Sequence, residues 1–213
     1  LDVELVTFND YVLPNEALSK GDIDVNAFQH KPYLDQQIKD RGYKLVSVGN
    51  SFVYPIAGYS KKIKSLDELQ PGSQVAIPND PTNLGRSLLL LQQVGLIKLK
   101  EGVGLLPTSL DIIENPKNLK IVELEAPQLP RSLDDAQIAL AVINTTYASQ
   151  IGLTPAKDGI FVEGKESPYV NLIVAREDNK DAENVKKFVQ AYQSDEVYEA
   201  ANKIFNGGAV KGW

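Results

Sequence analysis

The sequence predicts an α/β protein built from two lobes, and three observations support this prediction. Short apolar runs typical of buried strands, such as residues 75–77 and 139–143, alternate with segments whose apolar residues recur at helical spacing. Proline and glycine separate these segments, most clearly at Pro71 and Gly72. The length of 213 residues is enough for one domain or for two small lobes, and we favour two.

The composition excludes several classes of protein. The formal net charge is −6 and the lysines and arginines are scattered, which disfavours nucleic-acid binding because no basic stripe is available for phosphates. With no cysteine and one histidine, the chain lacks the ligands of the usual zinc sites, and we expect no metal and no cofactor. No apolar run approaches the roughly twenty residues that span a bilayer. A small solute is therefore the expected partner.

Before Pro71 the pattern predicts short strands and helices in alternation. Residues 1–8 alternate apolar and polar as a strand does, and Pro55 places the aromatic-rich segment 52–59 at a sheet edge or in a crossing segment. The other elements expected here are a short helix that begins at Leu13 and ends at Gly21, a strand at 22–28, a helix at 34–41 and a strand at 43–48.

After Gly72 the pattern predicts further strands and three longer helices. Strand 75–77 leads into a helix that Asp80 caps and Pro81 begins, and the leucines that follow share one helical face. The remaining elements expected are strands at 96–99, 118–124, 139–144 and 167–175 and helices with apolar stripes at 185–192 and 197–205.

The turn that opens the helix at Asp80 is the first candidate site. A helix N-terminus offers unpaired N–H groups and the positive end of the helix dipole, and Asn83 and Arg86, three residues apart, project from one face near it. We interpret this turn as a binding site for a carboxylate. The alternative is an ordinary capped helix with a surface arginine. Nothing in the turn is specific to phosphate.

Further candidates lie where other predicted strands end. Ligands of open α/β sheets bind beyond the carboxyl ends of strands, which directs attention to Phe28, His30 and Tyr33 and to Asn144. A solvated loop residue is the alternative for His30, and Asn144 also begins a common glycosylation sequon. Asn171 lies inside an apolar strand, where a buried amide either satisfies a neighbouring backbone group or serves a ligand.

Motifs for catalysis are weak in this sequence. Residues 159–166 have the glycines and lysine of a phosphate-binding loop at the right spacing but lack the final Ser or Thr, and a Ser/His/Asp triad could use only His30. A pair of carboxylates could still converge in the fold. The candidate turns are rich in amides, arginine and aromatic rings, which hold a ligand rather than move protons.

Four motifs in order, FQHKPYL, PNDPTNLGR, INTTY and SPYVNLIVAREDN, resemble the NlpA family, the methionine-binding lipoproteins of bacterial methionine ABC importers, and the match runs from Leu1 to Trp213. The resemblance implies a two-lobed periplasmic solute-binding fold (type II-like), in which two α/β lobes are joined by two crossing strands. Residues 1–71 and 147–213 would form lobe I, and residues 72–146 lobe II. The family pattern begins with a lipid-modified cysteine, a strand and a helix, none of which is in this sequence, and we expect the lipid anchor upstream of Leu1.

The resemblance also implies a role for each candidate residue. The thioether of the ligand would lie among aromatic residues, and its polar end among amides and a guanidinium. The aromatic group comprises Phe28, His30 and Tyr33, with Tyr54 as a further member; Arg86 takes the carboxylate with Asn83 beside it; and Asn144, Tyr147 and Asn171 complete the polar end.

The function implied is that of a non-catalytic substrate-binding component of an ABC importer. Such a protein captures methionine or a close analogue in a cleft between its lobes and delivers it to a membrane permease and its ATPase. We expect a monomer, lipid-anchored at the periplasmic face of the inner membrane. Two alternatives stay open: an enzyme on the same scaffold that acts on a small amino acid, and an adhesion or structural lipoprotein with a vestigial pocket.

Overall fold

The structure is a computed structural model that describes residues 1–164 and 166–213. Its contacts divide the chain into two compact units, and we call Leu1–Tyr54 with Lys165–Trp213 unit 1 and Pro55–Gly164 unit 2. No helix within the described residues is long and apolar enough to cross a membrane.

Helices and strands alternate through most of the chain. The helices are α1 (Leu13–Lys20), α2 (Lys31–Arg41), α3 (Pro81–Gln93), α4 (Leu129–Ser132), α5 (Thr145–Ala148), α6 (Pro155–Asp158), α7 (Glu183–Tyr192) and α8 (Asp195–Ile204). The strands are β1 (Val25–His30), β2 (Leu45–Val53), β3 (Ala57–Tyr59), β4 (Gln74–Pro78), β5 (Lys98–Leu99), β6 (Ile112–Glu114), β7 (Lys120–Leu124), β8 (Ile138–Ile143), β9 (Phe161–Val162), β10 (Val170–Arg176) and β11 (Val210–Lys211).

Unit 1 is built on a four-stranded antiparallel sheet in the order β1-β10-β2-β11. The central strand β10 is buried along most of its length, because helices pack against the sheet around Leu18, Leu34 and Val174. The strand expected at residues 1–8 is wrong, since these residues form no regular element and residues 1–7 are exposed. Alternation makes a strand only where a neighbouring strand pairs with it.

Unit 2 contains a mixed five-stranded sheet in the order β7-β4-β8-β3-β9. Strand β4 is parallel to both β7 and β8, and β3 is antiparallel to both β8 and β9. The apolar face of α3 packs on this sheet, with Leu88 and Leu91 fully buried against Val75 and Leu140. Strand β3, which precedes the boundary expected at 71/72, and strand β9, which follows the boundary expected at 146/147, are therefore parts of one sheet.

This pairing corrects the boundaries expected at residues 71/72 and 146/147, both of which fall inside unit 2. Strand β3 precedes the first of them and β9 follows the second, yet both are hydrogen-bonded into the unit 2 sheet. The divisions lie instead at residues 54/55 and 164/165. The sequence signal at Pro71 and Gly72 marks a turn before β4 and not the end of a lobe.

Candidate functional site

The capped helix start predicted after β4 is confirmed. Asp80 is the N-cap of α3 and Pro81 is its first residue. Oδ2 of Asp80 accepts a hydrogen bond from the backbone N–H of Asn83 at 3.1 Å and another from Nδ2 of Asn83 at 2.9 Å. Burial of the carboxylate raises the pKa of Asp80, although these hydrogen bonds act in the opposite direction. Asn83 is thus held at the first turn of α3 by its backbone and by its side chain.

Arg86 lies one turn further along α3 and binds a carboxylate of the protein itself. Its Nε donates to Oε2 of Glu163 at 2.9 Å and its Nη2 donates to Oε1 at 2.6 Å, so the pair is bidentate. The side chain of Arg86 is 4% exposed and that of Glu163 is 12% exposed. The alternative of a surface arginine is therefore wrong, because the guanidinium is buried and oriented by Glu163.

Glu163 was not among the residues that the sequence pointed to. It directly follows β9, and its backbone N–H donates to the carbonyl of Ile56 at 2.9 Å, which fixes where its side chain begins. A buried arginine on an apolar helix requires an acidic partner, and this was the available signal. The signal does not single out one of 28 acidic residues when the partner lies 77 positions away.

Asn144 joins this group because β4 and β8 are parallel neighbours whose carboxyl ends lie at the same edge of the sheet. Nδ2 of Asn144 donates to Oδ1 of Asn83 at 3.3 Å. Its own Oδ1 is buried, and no residue that the structure describes is hydrogen-bonded to it. Tyr147 is buried in α5, which begins directly after Asn144. We call Asn83, Arg86, Asn144 and Tyr147 the polar set of unit 2.

In unit 1 the end of β1 and the start of α2 bring three candidate rings together. The ring centroid of Tyr33 lies 5.9 Å from that of Phe28 and 6.2 Å from that of His30, both in edge-to-face geometry. Two rings that the sequence did not indicate join them: Tyr11 lies 5.9 Å from Phe28, and Tyr169 lies 5.1 Å from His30. We call these five residues the aromatic set.

Hydrogen bonds fix the orientation of two of these rings. His30 is the N-cap of α2, and its Nδ1 accepts from the backbone N–H of Tyr33 at 3.1 Å. A neutral imidazole that accepts at Nδ1 carries its proton on Nε2. The hydroxyl of Tyr33 donates to the carbonyl of Tyr11 at 2.7 Å. Because His30 is only 5% exposed, the alternative of a solvated loop histidine is wrong.

A buried network of amides is built on the same strand, β1. Asn15 and Gln29 form a reciprocal pair, in which Nδ2 of Asn15 donates to Oε1 of Gln29 at 2.9 Å and Nε2 of Gln29 donates to Oδ1 of Asn15 at 2.7 Å. Asn26 adds a donor bond of 3.0 Å to Asn15 and accepts one of 3.1 Å from Gln29. We call these three residues the amide network. Sequence reasoning missed it, because it depends on contacts between α1 and β1.

The two remaining candidates of unit 1 lie in different surroundings. Asn171 is in β10 opposite His30 in the antiparallel register and is 9% exposed. Tyr54 packs in a separate cluster, with its ring 5.0 Å from that of Phe205. Burial raises the pKa of Tyr54, and the neighbouring hydroxyl of Tyr192 raises it further. Unit 1 therefore places Asn171 across from an aromatic-set residue and Tyr54 in another part of its core.

Within residues 1–164 and 166–213, no group of three or more His, Cys, Asp or Glu side chains is placed to hold a metal ion. Arg86, the charged residue of the polar set, forms a bidentate ion pair with Glu163. What the two sets offer chemically is oriented donors, acceptors and aromatic edges.

Comparison with known proteins assigns the whole chain to a family. A model of the NlpA lipoprotein family matches residues 1–213. The chain belongs to the NlpA lipoprotein family. A family relative, the D-methionine-binding lipoprotein MetQ of Yersinia pestis, is 93% identical over 213 residues, which are 100% of this chain and 79% of the relative. The family resemblance seen in the four motifs is thereby confirmed.

Solved structures place the fold in the same family. The crystal structure of the methionine-binding protein MetQ has 93% identity and a TM-score of 0.99, covering 100% of this chain and 87% of that chain. A Burkholderia cenocepacia nutrient-binding protein bound to methionine has 55% identity and a TM-score of 0.96, with 100% and 89% covered. A periplasmic substrate-binding protein of an ABC transporter from Coxiella burnetii has 50% identity and a TM-score of 0.95, with 100% and 88% covered. The α/β solute-binding fold predicted from the sequence is confirmed.

Proposed function

We propose that this chain is the non-catalytic methionine-binding component of a bacterial ABC importer. The observation that carries the proposal is the match over the whole chain, at 93% identity, to a protein named for methionine binding. A more distant member of the family, at 55% identity, has been solved with methionine bound. Both the polar set and the aromatic set have the chemistry that an amino acid with a thioether side chain requires.

The polar set recognises the zwitterionic end of the ligand. A ligand carboxylate binds the guanidinium of Arg86, while the amides of Asn83 and Asn144 provide neutral donors and acceptors. Because Glu163 already balances the charge of Arg86, the ion pair as a whole is neutral. A net-neutral amino acid can enter such surroundings without leaving a buried charge uncompensated, whereas a dianionic phosphate would leave excess charge.

The aromatic set contacts the thioether. Sulfur is polarisable and favours the edges of aromatic rings, with about 0.3–1.5 kcal/mol for each contact. The edge-to-face arrangement of Phe28, Tyr33 and His30 presents such edges, and Tyr11 and Tyr169 extend the surface. Asn171, opposite His30, adds an amide at the border of this set. Tyr54 packs elsewhere in unit 1, so we assign it no contact with the ligand.

The same proposal extends to partners and location. The protein delivers methionine to a membrane permease and its ATPase, acts as a monomer, and is held by a lipid anchor at the periplasmic face of the inner membrane. The lipid anchor is supported by the family's description as lipoproteins, and the transport partners by the similarity to a periplasmic substrate-binding protein of an ABC transporter. Light scattering of the purified protein tests the monomer, and co-purification with a cognate permease tests the partner.

Calorimetry tests the ligand. The protein is unfolded and refolded to remove any co-purified solute, then titrated with L-methionine, D-methionine and L-norleucine. We expect one-to-one binding of methionine and weaker binding of norleucine. In norleucine a methylene replaces the sulfur at nearly constant shape, so the contacts between sulfur and the aromatic rings are lost. At about 100 times the dissociation constant, methionine should stabilise the fold by about 2.7 kcal/mol. Absence of both heat and thermal shift with either methionine isomer refutes the proposed ligand and favours a vestigial pocket.

An enzyme on the same scaffold is separated from a binding protein by its products. Mass spectrometry of methionine incubated with the protein should show the ligand unchanged, because the candidate site residues are amides, aromatic rings and an ion-paired arginine, which hold a ligand rather than move protons. Any product that accumulates in proportion to protein concentration would establish catalysis instead.

Replacing Asn171 with alanine should weaken methionine binding by about tenfold to a hundredfold. The side chain is nearly buried in an apolar strand, and losing one hydrogen bond to a charged group costs about 1.5–3 kcal/mol, with 1.4 kcal/mol for each factor of ten. Calorimetry measures the affinity, and Asn202→Ala on the exposed surface of α8 is the matched control. If Asn171→Ala retains both fold and affinity, Asn171 is a spectator.

A further inference from the structure

A carboxylate and two amides form a continuous chain of hydrogen bonds in unit 2. Oδ2 of Asp80 accepts from Nδ2 of Asn83 at 2.9 Å, and Oδ1 of Asn83 accepts from Nδ2 of Asn144 at 3.3 Å. Asn83 is 1% exposed and Asn144 is 7% exposed, so both amides are removed from bulk water. This series of hydrogen bonds therefore links the orientation of the Asn144 amide to Asp80.

The direction of this chain is set by the chemistry of its first member. Oδ2 of Asp80 accepts from the backbone N–H of Asn83 as well as from its side chain, and facing this acceptor Asn83 must present its NH₂ group to Asp80 and its oxygen to the next residue. Facing an oxygen, Asn144 must in turn present its NH₂ group to Asn83. The oxygen of Asn144 is then the atom that points away from the chain, although an asparagine by itself could adopt either orientation.

That oxygen is a buried acceptor that the described residues leave without a hydrogen-bond donor. A buried polar atom in this state destabilises the fold, and a hydrogen bond from a ligand donor would offset that cost. An ammonium group is such a donor, and its charge makes the hydrogen bond stronger. A ligand that offered a second acceptor here would face Oδ1 with repulsion.

We propose that Asp80 is a positioning residue for ligand recognition: through Asn83 it holds the amide of Asn144 so that Oδ1 faces the ligand, and the site thereby selects a free α-ammonium group. This inference rests on the proposed function. It deepens that function by naming the ammonium group as the part of the ligand that is recognised and Asp80 as the residue that orients the recognising amide. Asp80 itself touches the ligand nowhere in this scheme.

Two substitutions of Asp80 separate positioning from helix capping. Asp80→Ser retains a good N-cap for α3, but its hydroxyl is too short to hold the side chain of Asn83. Asp80→Asn also caps the helix and retains an oxygen at the original reach, so it should restore the chain. Each variant is titrated with L-methionine and with 4-(methylsulfanyl)butanoic acid, which lacks the ammonium group.

The ratio of the two affinities is the decisive quantity. We expect Asp80→Ser to weaken methionine about tenfold, as for one charge-assisted hydrogen bond, and to change the affinity for the acid less than about twofold. Asp80→Asn should recover most of the preference for methionine. Equal loss for both compounds in Asp80→Ser would assign Asp80 a purely structural role, and no loss for either would show that the chain is not coupled to the ligand. Both results overturn the proposal.

A readout without ligand keeps this test distinct from that of the proposed function. The side-chain NH₂ signals of Asn83 and Asn144, measured by NMR, should shift in Asp80→Ser and return towards their original positions in Asp80→Asn. Unshifted signals would overturn the positioning role even if methionine binds. If the unsubstituted protein binds no methionine, the proposed function fails, and the NMR signals alone decide whether Asp80 orients the two amides.

Discussion

Replacing Arg86 with alanine should remove most of the affinity for methionine and destabilise unit 2. We expect a loss of about 2–5 kcal/mol in binding, because one partner of a desolvated charge pair is truncated. We also expect a loss of about 3–5 kcal/mol in folding stability, since the buried carboxylate of Glu163 would lose the guanidinium that balances its charge. Calorimetry measures the first effect, and the urea midpoint of unfolding measures the second.

Because Arg86 has two roles, the single substitution needs a partner variant that separates them. The double substitution Arg86→Met with Glu163→Gln removes both charges at similar volume, and replacing a whole buried ion pair in this way is often close to neutral for stability. We expect the double variant to recover most of the lost stability but none of the lost affinity. Arg86→Lys retains the charge without the bidentate geometry and should be intermediate in binding.

Two results would contradict this account. Unchanged affinity for methionine in Arg86→Ala would show that the guanidinium does not bind the ligand carboxylate. Recovery of affinity together with stability in the double variant would show that Arg86 acts only by maintaining the fold of unit 2. A loss of affinity that persists in a stable double variant is what the carboxylate role requires.

The start of α3 was predictable from the sequence because every signal for it is local. An apolar strand, an N-cap aspartate, a proline at the first helical position and a run of leucines all lie within about twenty residues, and their meaning depends on no other part of the chain. Asn83 and Arg86 could be placed on one face of the helix by spacing alone. Strands β8 and β10 were recognisable for the same reason, as uninterrupted apolar runs.

Features that depend on contacts between distant segments could not be predicted. Glu163 pairs with Arg86 across 77 positions, and the strand on which it depends, β9, is only two residues long. The expected lobe boundaries were wrong for a similar reason, because the sequence of a short strand such as β3 does not indicate which sheet it will join. Residues 1–8 show the converse, an alternating pattern that finds no pairing strand among the described residues.

The aromatic set illustrates a third limit. Phe28, His30 and Tyr33 lie close together in sequence at the end of a strand, so their proximity could be expected. Tyr11 and Tyr169 are brought to them by the fold, from a loop before α1 and from the residue that precedes β10. How β1 directs its side chains depends on a bulge, and one extra residue exchanges the faces of all that follow.

Replacing Gln29 with alanine should show how much depends on this bulge. Three steps along β1, from Asn26 to Gln29, pair with two steps along β10, so both side chains turn to the same side and bond to Asn15. The substitution removes three buried hydrogen bonds and leaves a cavity. We expect a loss of about 2–5 kcal/mol in folding stability, comparable to truncating a large core side chain, because the partner amides lose their hydrogen bonds as well.

Methionine affinity should fall in the same variant, because Phe28 and His30 flank Gln29 on the strand and depend on the bulge for their direction. Gln93→Ala is the matched control: this glutamine is exposed near the end of α3, and its removal should change stability by no more than about 0.5 kcal/mol. Urea unfolding gives the stability of each variant and calorimetry its affinity. A Gln29→Ala protein that is destabilised but binds methionine with unchanged affinity would separate the amide network from the aromatic set. If its unfolding midpoint were unchanged, the network would contribute nothing to stability, and the bulge would have to be maintained by the backbone pairing of β1 with β10 alone.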